Sequence, residues 1–123
     1  MLEKEFVPYQ ESLELKELGF DEPCFGLFVR DKSLLIKEMP NQEECQMFFG
    51  GILAPTYSQA FRWFREKYGL WQIIQQNTDK DWTYDILPII GMIDYKLFDV
   101  FDTYEEAELA CLRKLIEIVK EKQ

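Results

Sequence analysis

Thr56-Tyr57-Ser58-Gln59-Ala60 and Thr103-Tyr104-Glu105-Glu106-Ala107 write one helix start twice. In each, the Thr hydroxyl is placed to accept from the backbone N–H three residues on. Gln59 or Glu106 is placed to reach back to the Thr N–H, which completes a capping box. Behind the first start, Tyr57, Ala60, Phe61, Phe64 and Tyr68 recur at helical spacing until Gly69 stops them. Behind the second run Ala107, Cys111, Leu112, Leu115, Ile118 and Val119, widened by Leu109 and Ile116. These patterns predict helices over 57–68 and 104–120. The second stripe is broader than one sheet face needs, which suits a helix wedged between two layers or one that joins a second copy of the chain.

Working outward, Pro8-Tyr9-Gln10-Glu11-Ser12-Leu13 reads as a further helix start with Pro at an early position. Tyr9, Leu13, Leu15 and Leu18 supply its apolar face, and Gly19 is placed to cap its end. Phe20 returns the chain to the core, and Pro23 marks a break. Phe25 to Arg30 and Leu34 to Glu38, joined by Asp31-Lys32-Ser33, read as a β-hairpin. Pro40 to Glu44 reads as a polar loop. Gln46 to Leu53, interrupted by Gly50-Gly51, reads as a short strand or an irregular connector. Trp71 to Gln76 and Asp81 to Leu87 form a second hairpin around Asn77-Thr78-Asp79-Lys80. Pro88 and Gly91 break its second strand, and Leu97 to Phe101 is a further strand. The order helix, hairpin, helix, hairpin plus strand, helix predicts a single α+β domain over 1–123. It would pack about four to five antiparallel strands with about three helices.

At 123 residues, of which 47% are hydrophobic and 15% aromatic, the chain has enough apolar mass for one cored domain. Its net charge of −9, from 23 acids against 14 bases, opposes binding to nucleic-acid phosphates and to anionic membranes. The acidity suits solubility, and it leaves open a mimic of nucleic acid that inhibits DNA-binding proteins. With 0 histidines, and Cys24, Cys45 and Cys111 in no CxxC pair, the usual Cys/His zinc sites are close to excluded. A Ser-His-Asp triad is impossible within the chain, and no GxGxxG or P-loop occurs. No cofactor and no enzymatic activity are expected. Met1-Leu2-Glu3-Lys4-Glu5 does not open a secretory signal, and no apolar run approaches about 18 residues. A reducing cytoplasm is therefore the expected setting, with the thiols as small buried hydrophobes.

Four residues stand out as candidates. Arg62, Trp63 and Arg65, with Glu66 beside them, fall off the core stripe of their helix. A Trp between two Arg residues suits a carboxylate, a stacked ligand or a protein partner. The plainer alternative has Trp63 covering a loop edge and the arginines paired with acids. Glu108 falls among Tyr104, Cys111, Leu112 and Leu115, which makes it a candidate buried acid, or else a first-turn Glu favoured by the helix dipole. Asp79, Asp81, Asp85, Asp94, Asp99 and Asp102 lack the spacing of a calcium loop and read as solvated charges. Cys24 has Glu22 nearby, which would raise its pKa and make a poor nucleophile.

Ala54-Pro55-Thr56-Tyr57-Ser58-Gln59-Ala60-Phe61-Arg62-Trp63-Phe64-Arg65-Glu66-Lys67 resembles the central signature of a family of small proteins of bacterial phages, prophages and mobile elements. Leu15 to Phe25 and Thr103 to Glu117 look like two further signatures of the same family. The resemblance does not extend to the segments 32–53 and 72–100. The resemblance implies no activity, cofactor or catalytic residue. Together with the missing catalytic inventory and the Trp–Arg patch, it leads to the expectation of a non-enzymatic accessory protein that acts through an unidentified protein partner or its own second copy. The alternative is a protein whose aromatic interior binds or sequesters a metabolite or nucleotide.

Overall fold

The proline at position 8 and the glycine at position 19 bracket the first helix as their chemistry requires. In a computed structural model, which describes residues 2–87 and 99–122, α1 spans Tyr9–Glu17 with Pro8 as its N-cap. Its end is a Schellman motif. Gly19 takes a φ of 103°, its N–H bonds to the Lys16 carbonyl at 3.0 Å, and the Phe20 N–H bonds to the Leu15 carbonyl at 2.9 Å. Only glycine adopts that φ without strain.

The chain is α+β. Its remaining elements are β1 (Cys24–Phe28), β2 (Leu34–Met39), α2 (Gln42–Phe49), β3 (Ile52–Leu53), α3 (Tyr57–Tyr68), β4 (Trp71–Thr78), β5 (Asp81–Leu87) and α4 (Tyr104–Glu121), with a short 3-10 turn at Leu2–Glu5. The expected single sheet is instead two antiparallel sheets among the described residues, ordered β2-β1-β3 and β4-β5. The chain forms two compact units, Met1–Ala60 and Phe61–Gln123, and the division falls inside α3.

In the first unit, β1 is the central strand, so Leu27 and Phe28 pair with both Leu35 and Leu34 of β2 and Leu53 and Ile52 of β3. Phe6, Phe28, Ile52 and Ala54 form a buried cluster, against which Tyr9, Leu13 and Leu34 pack. Tyr9 meets Phe28 edge-on at 5.5 Å. Gly51 is a position where no side chain fits, because a Cβ there would stand 1.9 Å from the Phe28 carbonyl oxygen.

The helix α2 corrects the expectation of a polar loop followed by a strand or connector. Its local signals are real: the Asn41 side chain accepts from the Glu44 N–H at 2.8 Å, and Gly50 ends the helix at a φ of 59°. The apolar stripe that would have announced it is missing. Cys45 is buried with Gln42 and Phe49 half-buried on the same side, whereas Met47 and Phe48 are exposed, so the apolar residues do not mark the covered side. Gln42 then ties α2 to β3. Its Nε2 donates to the Gly51 carbonyl at 2.9 Å, and its Oε1 accepts from the Leu53 N–H at 3.1 Å.

In the second unit, β4 and β5 pair from Trp71↔Leu87 to Thr78↔Asp81. Asp81 Oδ1 closes the turn by accepting from the Thr78 N–H at 2.9 Å and its hydroxyl at 2.8 Å. Of the further strand expected over 97–101, Leu97 and Phe98 lie outside the described residues, as do Pro88, Gly91 and Asp94. Phe101 alone makes an antiparallel bridge, to Trp82 of β5, with both N–H···O bonds at 2.8 Å. The helix α4 packs against both strands of the hairpin. It buries Ala107, Cys111, Leu112, Leu115, Ile116, Ile118 and Val119, with Leu109 half-buried.

The two caps are alike in sequence and different in structure. Thr103 and Glu106 form the full box: Thr103 Oγ1 accepts from the Glu106 N–H at 3.1 Å and Glu106 Oε1 accepts from the Thr103 N–H at 3.3 Å. Thr56 Oγ1 accepts from the Gln59 N–H at 3.2 Å, the expected first half. The Gln59 amide, however, donates to the Pro23 carbonyl at 2.6 Å, so it holds a distant loop to the helix start.

Candidate protein-binding face

Side chains on an antiparallel pair share a face when they stand directly opposite. Trp71 with Leu87, and Ile73 with Asp85, therefore lie on one face of β4–β5, and Gln72 with Ile86 and Ile74 with Tyr84 on the other. Ile86 is buried and Tyr84 half-buried, on the side where α4 packs. Burial pushes the Tyr84 hydroxyl up to about 12, helped by Cys111, Asp99 and Glu117. The opposite face is open at one end. Trp71 is 56% exposed, and Ile73 and Leu87 are exposed beside it. Towards the turn the face closes, because Thr83 is buried with its hydroxyl on the Asp99 carbonyl.

Arg65 of α3 completes this apolar end. Its guanidinium lies 5.2 Å from the Trp71 ring centroid, and Nη1 donates to Gln72 Oε1 at 3.2 Å. The hydrogen bond fixes the planar cation on the indole face, where the ring quadrupole attracts it. The arrangement offers a partner a large aromatic surface, two aliphatic side chains and an orientated cation.

The expected exposed patch of Arg62, Trp63 and Arg65 is thus corrected at its centre. Trp63 is 5% exposed, packed edge-on against Phe64 at 5.1 Å and Tyr68 at 5.4 Å, with Lys67 Nζ 5.1 Å from its ring. Arg62 is exposed and Arg65 half-buried. The tryptophan that Arg65 meets is Trp71, which begins the next strand. Its signal was legible as the alternation Trp71, Gln72, Ile73, but alternation does not say which face is covered.

Glu108 is half-buried and not a core acid. Among the described residues the buried acid is Glu11 of α1, 4% exposed beside Ser12, whose hydroxyl donates to the Val7 carbonyl at 3.0 Å. No sequence signal marked it, since Glu11 also suits an exposed first turn.

The three thiols are free and buried. Burial, then Glu22 and Cys45, push Cys24 up to about 12. Burial raises Cys45, and burial with Glu108 and Asp85 raises Cys111 further. All three stay protonated near neutrality, which suits packing and not nucleophilic attack. Among the described residues, no three His, Cys, Asp or Glu gather closely enough to hold a metal ion. No helix among them is long and apolar enough to cross a membrane.

A separate open cleft of about 340 Å³ runs along α4, lined by Val100, Phe101, Asp102, Glu106, Leu109, Ala110 and Arg113. Comparison of the chain with models of known families, with curated proteins and with solved structures finds no match.

Proposed function

We propose that the chain is a non-enzymatic accessory protein, of the phage and mobile-element kind its signatures resemble, that acts by protein–protein contact. The contact is centred on Trp71, Ile73 and Leu87, with Arg65 beside them. The observation that carries this reading is the Trp71 ring, 56% exposed under a guanidinium held 5.2 Å away. Trp and Arg lead the residue types that dominate binding energy at interfaces, and exposed apolar patches rimmed by polar groups mark such surfaces. Tyr84 and Ile86 carry the hairpin's packing against α4, so Trp71 contributes little to the fold.

The apolar end covers on the order of a few hundred Å². A stable interface takes roughly 800 Å² from each partner, so the face acts as the anchor of a larger contact. The net charge of −9 favours a partner whose own contact surface is neutral or basic around that anchor.

Co-purification from the native host tests the reading with three forms of the protein. Wild type retains a stoichiometric partner, Trp71→Phe retains part of it, and Trp71→Ala loses it while keeping its circular dichroism spectrum. Equal retention by Trp71→Ala and wild type would remove this face from the contact.

A further inference from the structure

We propose that the free edge of β4 pairs with the β4 edge of a second copy of the chain, which joins two two-stranded sheets into one antiparallel sheet. The pairing uses an edge and leaves the open face of Trp71 uncovered, so it does not rest on the partner contact proposed for that face.

The first observation is which backbone groups face outward. Trp82 of β5 exchanges both of its backbone bonds with Phe101, at 2.8 Å each, so its N–H and C=O point away from β4. Along an antiparallel strand these groups alternate in direction, and residues directly opposite each other either both bond across the pair or both point away from it. Gln76 stands opposite Trp82, Ile74 opposite Tyr84 and Gln72 opposite Ile86. The N–H and C=O groups of Gln72, Ile74 and Gln76 therefore point to the outer edge. Among the described residues no backbone partner reaches them there.

The second observation is that this edge lacks the devices that keep sheet edges apart. Exposed edges are blunted by charge, by proline or by a bulge within the strand. The outer strand of the other sheet, β2, carries Lys37 and Glu38 where its register shifts. By contrast β4 has 8 residues, none of them charged and none a proline, and its register shifts only beyond Gln76. In a chain of net charge −9, an uncharged edge lets two copies approach with little repulsion.

The third observation selects a second copy as the occupant. A two-fold axis normal to the sheet at Ile74 sets Ile74 opposite itself and Gln72 opposite Gln76 of the other copy. All three outward residues then pair, which gives about six main-chain bonds. Both copies use the same edge, so the pairing closes at two. The axis also lays the start of each β4 beside the β4–β5 turn of the other copy. Arg65, bonded to the Gln72 side chain at 3.2 Å, makes no ion pair among the described residues. The turn carries Asp79 and Asp81 against Lys80, so each cationic end meets a net negative one. Each hairpin is two strands wide, about 10 Å, which leaves room for one α4 per copy at ordinary helix spacing.

The test reads sedimentation and amide hydrogen exchange of the full chain over a range of concentrations. The mass should rise toward twice 14.8 kDa as concentration increases. The amides of Gln72, Ile74 and Gln76 should pass from unprotected to protected in step with it. Those of Ile73 and Gln75, bonded within the hairpin, should be protected at every concentration. Gln76→Pro removes an outward N–H at an exposed position and spares the hairpin bonds, and it should weaken the dimer roughly tenfold or more. Arg65→Glu should weaken it severalfold at low salt. A chain that stays monomeric up to about 1 mM overturns the proposal, even if it captures a strand of another protein. A dimer in which Gln72, Ile74 and Gln76 exchange freely also overturns it, since the copies are then joined elsewhere. So does a Gln76→Pro chain that dimerises as tightly as wild type with its Ile73 and Gln75 amides protected.

Discussion

Trp63 and Trp71 meet the same chemistry in opposite settings. Each lies beneath a cation of α3, Lys67 at 5.1 Å and Arg65 at 5.2 Å. Trp63 is 5% exposed and Trp71 56%. The first is a packing residue whose indole the cation covers. The second is a surface on which the cation is displayed. A Trp beside an Arg in a sequence is therefore not yet a recognition site, because neighbours distant in sequence decide which ring faces outward.

The comparison breaks most readily at the buried ring. Trp63→Ala should cost about 3–5 kcal/mol of unfolding free energy, the usual loss on emptying a buried Trp site. Trp71→Ala should cost only about 1 kcal/mol, the scale of its contact with Arg65 and its pairing with Leu87. Urea unfolding of the two variants measures both, and equal losses would show that the rings are not in contrasting settings.

Two groups shielded from water, one in each unit, carry a pH signature. Cys24 and Tyr84 are pushed up to about 12 in the folded protein, from ordinary values of 9.0 and 10.0. An acid with a raised folded pKa holds its proton more tightly in the native state. Its contribution is therefore complete below the ordinary value and lost as pH rises through the folded one. Stability should be flat from neutrality to about pH 9, then fall by on the order of a few kcal/mol toward pH 12. Thermal unfolding across that window checks it, and an unchanged midpoint at pH 11 would contradict the burial of both groups.

Smaller effects separate the two helix starts. Thr103→Ala removes a complete capping box and should cost about 1 kcal/mol. Glu106→Ala should cost a similar amount, since it frees two backbone donors. Gln59→Ala acts elsewhere, releasing the Pro23 carbonyl, so hydrogen exchange should quicken in the loop before β1 and not at the start of α3. The smallest effect is read on variants that keep one tryptophan and carry Phe at the others: acrylamide should quench Trp71 fluorescence strongly and Trp63 weakly.

Local signals made much of the fold legible. The bounds of α3, from Thr56 to Gly69, follow from a cap, a stripe and a stop that all lie within the segment. The hairpin β4–β5 follows from two alternating runs around Asn77 to Lys80. The helix α2 was harder to see because Met47 and Phe48 are exposed, so its hydrophobic period carries no information although Asn41, Glu44 and Gly50 mark its ends. At the candidate face, Arg65 was legible and Trp71 was not. Its strand alternates correctly, but the covering of one face by α4 is a long-range event.

By itself, then, the sequence determined the helix ends, the turns and the chemical inventory: no imidazole, scattered thiols, an acidic balance. Those properties depend on residues a few positions apart, through backbone hydrogen bonds and side-chain caps. Tertiary structure alone decided that the strands form two sheets, that Gln59 holds Pro23, that Glu11 is buried, and that Trp71 is displayed where Trp63 is hidden. Burial depends on which distant surfaces meet, and the same apolar side chain serves a core or a contact face equally well until they do.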